Sequence, residues 1–136
     1  MRGDGGWLGQ AVRVCSRSAA AYKAAFMLAG EAEVEQELLC RCRERYDLLE
    51  RLLCRLGEAG FAPQRMRAVL SRDDIACTRY EAAEEALDEA GGADRLLAAV
   101  LAGAGCQALA AKLCAEPADA VGPRLDGTRL STILPA

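Results

Sequence analysis

The chain contains no histidine. The imidazole that usually serves as general base near neutral pH, and that most often ligates metals, is therefore missing. This excludes Cys–His and Ser–His–Asp catalysis within the sequence. No convergent set of catalytic groups replaces them, and no catalytic, metal-binding or cofactor-binding residue is assigned. Aromatic residues make up only 4% of the 136 residues, so a core must be built from Leu, Ala, Val and Cys. Lysine is nearly absent, with Lys23 and Lys112 alone. The remaining positive charge is arginine, whose planar fork meets a carboxylate through two hydrogen bonds and suits protein–protein ion pairs. No apolar run reaches the roughly 20 residues of a membrane span. Strand-like alternation with hairpin turns is missing, and so is any helical repeat of fixed period. The net charge of −3 argues against nucleic acid as the main partner.

What is present points to helices. Hydrophobic residues account for 52% and charged residues for 27%, enough for one folded domain and too apolar for wholesale disorder. Ala and Leu are strong helix formers, and β-branched residues are few. The seven cysteines are odd in number and follow no secretory signal, which favours reduced thiols in the cytosol. Cys40-x-Cys42 is the one close pair. On a helix its members point roughly 200° apart, and no second pair stands at zinc-finger spacing. These cysteines read as small buried hydrophobes.

Three regions follow from the pattern. Residues 1–30 carry Gly3, Gly5, Gly6 and Gly9, poor helix formers, and are expected to be a poorly ordered extension or one loose helix. Arg2, Arg13, Arg17 and Lys23 against Asp4, with Ser16 and Ser18, also give this segment a weak likeness to a mitochondrial presequence. The expected location is cytoplasmic, with mitochondrial as the alternative. Residues 31–116 form the expected helical bundle. Val34, Leu38, Cys42, Tyr46, Leu49, Leu53 and Leu56 recur at helical spacing, as one helix of about seven turns or as two with a break near Tyr46 and Asp47. Gly57 and Gly60 stop this run. Pro63 opens a short helix with Met66, Val69 and Leu70 inward. Thr78-x-x-Glu81 is a capping-box pattern ahead of Ala83, Ala86, Leu87 and Ala90, and Gly91 and Gly92 are expected to end that helix. Leu96, Leu97, Val100 and Leu101 line the next, which Gly103 and Gly105 close. Cys106 to Ala115 is the last. Residues 117–136, with Pro117, Gly122, Pro123, Gly127 and Pro135, read as a flexible tail. The expected fold is all-α, a compact antiparallel bundle of five or six helices.

The C-terminal half of this pattern resembles a caspase-recruitment domain (CARD) of the death-fold superfamily. Ala83, Leu87, Gly92, Leu97, Leu101, Gly105, Leu109, Ala110 and Leu113 fall where that family has its fourth helix, glycine turn, fifth helix and short final Leu-Ala-x-x-Leu helix. Phe61-Ala-Pro63-x-x-Met66 is similar to the junction of the second and third helices of initiator-caspase prodomains, and Leu39-Cys-Arg41-Cys-Arg43 to the start of their first helix. The resemblance covers 31–116 and implies a six-helix Greek key that binds partner CARDs. It implies a CARD-only adaptor or inhibitor in apoptotic or inflammatory signalling and no enzymatic activity. The chain departs from the family in lacking an aromatic in the fifth helix and in carrying Ala86 where a large aliphatic is usual. A death-effector-type domain, or a non-signalling helical subunit that oligomerises through exposed Leu and Cys, are the alternatives.

Charge supplies the expected sites. Arg41, Arg43, Arg51, Arg55, Arg65 and Arg67 form a candidate basic face. Glu81, Glu84, Glu85, Asp88 and Glu89, within a stretch free of bases, form a candidate acidic face. Glu31, Glu33, Glu35 and Glu37 add acids at the start of the bundle. Opposed patches of this kind set partner choice and association rate, and a head-to-tail contact that does not close builds a filament. The expected partner is a CARD-bearing caspase or adaptor, with self-association possible and no role for membranes or cofactors.

Overall fold

The computed structural model of the chain describes residues 2–60, 80–115 and 118, with side chains from residue 6 onward. Among these residues the protein is all-helical, with four helices and no strand: α1 (Arg2–Leu28), α2 (Ala32–Glu58), α3 (Ala83–Gly103) and α4 (Gln107–Ala115). The short helix expected from Pro63, and the tail from Pro117 apart from Ala118, lie outside the described residues.

The organising element is α1. Leu8, Ala11, Val12, Cys15, Ser18, Ala19, Ala21, Tyr22 and Ala25 are all buried, and α1 packs against both α2 and α3. The bundle therefore does not begin at residue 31. The segment read as a poorly ordered extension or one loose helix is a 27-residue helix that supplies one wall of the core. Its glycines each cost roughly 1 kcal/mol relative to alanine, but helices in proteins are held mainly by packing of their apolar face. The small residues Ala21 and Ala25 stand in the same cluster as Ala83, Ala86 and Ala90 of α3, which lets the two helices pack closely.

One uninterrupted helix forms α2, so there is no break at Tyr46 and Asp47. Val34, Leu38, Leu48, Leu49, Leu52, Leu53 and Leu56 face inward. Glu33 and Glu35 in its first turn and Arg55 in its last complement the helix dipole. Gly60, at φ +93°, takes the left-handed conformation after the helix end that the sequence assigns to it.

The second departure is α3. It runs without interruption through Gly91 and Gly92. Ala86, Leu87, Ala90, Ala93, Leu97 and Leu101 form one continuous buried stripe, and the burial along it outweighs the two glycines. Its first helical residue is Ala83, with Ala82 at the N-cap making no side-chain cap bond. Glu81 thus precedes the helix and cannot act from the third helical position of a capping box. Thr78 is outside the described residues. The C-terminus follows expectation. Gly105 (φ +90°) donates to Ala102 O at 3.1 Å and Cys106 N donates to Leu101 O at 2.8 Å. This paired 5→2 and 6→1 bonding needs a left-handed residue, which glycine supplies.

Two apolar clusters fix the helix directions. In one, the start of α1 meets the ends of α2 and α3 and the helix α4. In the other, the end of α1 meets the starts of α2 and α3. Helices α2 and α3 therefore both run antiparallel to α1. Between the two clusters lies a layer of polar side chains.

Candidate functional site

The polar layer draws on three helices. Ser18 and Tyr22 stand one turn apart on α1, as Arg41 and Arg45 do on α2, so each pair shares a helix face. Asp94 comes from α3. Ser18 Oγ donates to Asp94 Oδ1 at 2.5 Å and Tyr22 OH donates to Asp94 Oδ2 at 2.7 Å. Arg45 donates from Nε to Oδ1 and from Nη2 to Oδ2, both at 3.0 Å. Arg41 Nη1 donates to Tyr22 OH at 3.4 Å, and its Nη2 reaches Glu37 Oε1 at 3.5 Å. The Arg41 and Arg45 guanidinium groups lie 5.9 and 5.3 Å from the centre of the Tyr22 ring, within cation–π range.

Burial governs the electrostatics. The Tyr22 hydroxyl is pushed up to about 12, first by loss of water and then by the Asp94 charge and its hydrogen bond. The Cys15 thiol, which donates to Arg45 O at 3.3 Å, is also pushed up to about 12. Burial is the main cause there, opposed by the Arg45 charge and reinforced by Asp94. Burial works to lower the Arg45 value, but the Asp94 hydrogen bonds and charge outweigh it and hold the guanidinium firmly protonated. Asp94 accepts four hydrogen bonds, which fills the roughly four lone-pair positions of a carboxylate. None is left to take a proton from a substrate. The layer therefore ties three helices to one another.

The charged residues expected at the surface divide. Arg41 is corrected: it is 8% exposed and belongs to the polar layer. Its spacing from Leu38, Cys42 and Arg45 puts it on the inner face of α2, where Tyr22 and Glu37 receive it. Arg43, Arg51 and Arg55 are exposed, but they share the outer strip of α2 with exposed Glu44, Asp47, Glu50 and Glu58. That strip is mixed in sign. Arg65 and Arg67 lie outside the described residues. On the acidic side, Glu81, Glu85 and Asp88 are exposed and Glu84 and Glu89 half-buried, with Glu89 3.8 Å from Arg17 Nε. Arg45 and Asp94 are the residues that the surface reading passed over. The signal for them was a charged residue standing where the apolar period of its helix calls for a hydrophobe.

Two depressions lie among the described residues. One of about 80 Å³ lies between α2 and α4 and is lined by Leu48, Arg51, Leu109 and Lys112 among others. The other, open and about 520 Å³, sits at one end of the bundle beside Trp7, Leu8, Arg55, Glu58 and Cys106. There the Arg55 guanidinium lies 5.8 Å from the centre of the Trp7 ring. Among the described residues no group of three or more Cys, Asp or Glu side chains is placed to hold a metal ion, and no helix is long and apolar enough to cross a membrane.

No family model, curated protein or solved structure matches the chain.

Proposed function

We propose that this chain is a protein–protein interaction module with no catalytic chemistry of its own, acting through charged helix surfaces. One observation carries the reading. The buried ionisable groups Asp94, Arg45, Arg41 and Tyr22 are engaged with one another, while acids stand outward at Glu81, just before α3, and at Glu85 and Asp88 on it. The first partner class to test is a CARD-bearing caspase or adaptor, which the chain would bind as an adaptor or inhibitor in apoptotic or inflammatory signalling. Support for that class is the C-terminal pattern, where Gly105 turns the chain into a short helix that buries Ala110 and Leu113. The family's glycine turn between fourth and fifth helices has no counterpart at Gly91–Gly92, where α3 continues, so the partner class rests on the last helix and on charge.

The test is calorimetric titration of the full chain with a set of purified CARDs at low and high salt. Binding to at least one, weakening as salt rises, is the expected result. Failure of the whole set to bind would remove CARDs as partners.

A second reading, an α-helical subunit that associates with its own kind, is favoured by the exposure of Leu96 and of Cys40, Cys54 and Cys114. Sedimentation separates the two. A concentration-dependent dimer in reducing buffer with little response to salt belongs to the second.

A further inference from the structure

Three large apolar side chains are exposed among the described residues, and two of them are neighbours: Met27 at 72% and Leu28 at 41%, with Leu96 elsewhere. Single exposed apolar residues are ordinary on protein surfaces. An adjacent pair at a helix end is less so, and its surroundings are unusual. The last turns of α1, the first of α2 and the first of α3 pack into one apolar cluster, so their outward residues crown the same end of the bundle. On that crown stand Glu31 and Glu33 at the start of α2 and Glu81 and Glu85 around the start of α3, all exposed. Two acidic runs about 50 positions apart in sequence are thereby brought to the same end of the bundle as the apolar pair. Through residues 23–38 and 80–88 the sole base is Lys23.

We infer that this end of the bundle is a docking surface for a basic amphipathic helix of a partner protein, with Met27 and Leu28 as anchors and the surrounding glutamates selecting lysine and arginine. The inference rests on the interaction-module reading and gives it a location. An apolar pair takes up the hydrophobic stripe of such a helix, and methionine adapts its shape to the side chain it meets. The acids raise the encounter rate and reject acidic competitors. Nucleic acid and anionic membranes are repelled by the same glutamates.

The experiment is fluorescence anisotropy of a labelled leucine–lysine peptide of about 18 residues, long enough to hold an amphipathic helix, titrated with the full chain. A scrambled peptide of the same composition keeps the charge and loses the stripe. The designed helix should bind more tightly than the scrambled one. Met27→Ser with Leu28→Ser should weaken binding at least about tenfold, as truncation of a central anchor does. Glu31→Lys with Glu33→Lys should weaken it similarly at low salt, with the loss shrinking at about 1 M salt, where the screening length is ~3 Å. All four positions are exposed, and circular dichroism checks that the variants stay folded. Equal binding of the two peptides, or unchanged binding by both double variants, overturns the surface. Failure here with a positive CARD titration removes this surface and keeps the module reading. Success here with no CARD bound does the reverse for the partner class.

Discussion

Arg45 on α2 and Asp94 on α3 are 49 residues apart and meet through two parallel hydrogen bonds of 3.0 Å each. Both side chains are almost wholly buried. A pair of this kind gains its attraction at a large desolvation cost, and its removal on one side leaves the other charge stranded. Asp94→Ala should therefore destabilise the chain by roughly 3–5 kcal/mol. Asp94→Leu combined with Arg45→Met should recover most of that loss, because apolar pairs of similar volume often replace buried ion pairs at little net cost. Urea denaturation of Asp94→Leu, Arg45→Met and the double variant completes the cycle. A double variant as unstable as the worse single one would show that Ser18 and Tyr22 depend on the charges for their own partners.

Alkali should unfold this protein earlier than its helices alone suggest. The Tyr22 hydroxyl and Cys15 thiol are both held near 12, above their ordinary values of 10.0 and 9.0. The fold thus favours their neutral forms. Their contribution is fully present below the unfolded values and is lost as pH rises through the folded ones, a window from about 9 to 12. Urea midpoints at pH 7, 9 and 11 should be level between the first two and fall sharply at the third. Tyr22→Phe should be less stable at pH 7 by about 1–2 kcal/mol, through the lost bond to Asp94, and show a shallower alkaline decline. An unchanged decline would place the titrating group elsewhere.

Gly92 offers a stabilising substitution. A Cβ built at this position meets nothing nearer than Arg95 Nη2 at 4.0 Å, and the residue lies inside a continuous helix. Gly92→Ala should raise stability by roughly 0.5–1 kcal/mol through helix propensity and a less flexible unfolded chain. A higher urea midpoint with unchanged slope would agree. A lower midpoint would mean that the bare backbone at this point is in contact with something.

Removal of residues 1–30 should unfold the protein. Leu8, Val12, Cys15 and Tyr22 are each 3% exposed or less, and without them the apolar faces of α2 and α3 would lose their common neighbour. Loss of cooperative thermal melting in the truncated chain is expected. If 31–136 melts cooperatively with native helix content, α1 is dispensable and the bundle forms without its central helix.

The sequence announced α2 clearly, because Val34, Leu38, Leu49, Leu53 and Leu56 keep a helical period and all are buried. Gly60 and Gly105 were equally legible, since a left-handed residue after a helix end is glycine's particular role. Gly91 and Gly92 misled for the converse reason. Local propensity favours a break there, and the buried stripe on either side overrides it. A helix in residues 1–30 was one of two expectations, but its place in the core was hidden by its composition: alanines and serines have little amphipathic contrast, yet small side chains are what a helix packed on two sides requires. The polar layer had a faint signature in Arg45, at the inner-face position between Cys42 and Leu49, and in Asp94, between Ala90 and Leu97. Which charge would meet which required the fold, because the partners lie 49 residues apart. The acidic crown was half legible: both runs of glutamate were visible, and their convergence at one end was not.

The continuity of α2 has one more implication. Twenty-seven residues of unbroken helix make a rod of about 40 Å, with Met27 and Leu28 near its first turn and the Trp7–Arg55 depression near its last. Ligands seated at the two ends would not touch, and neither would compete with the other for space. Among the described residues, the two ends of the bundle thus stand apart by about the length of that rod.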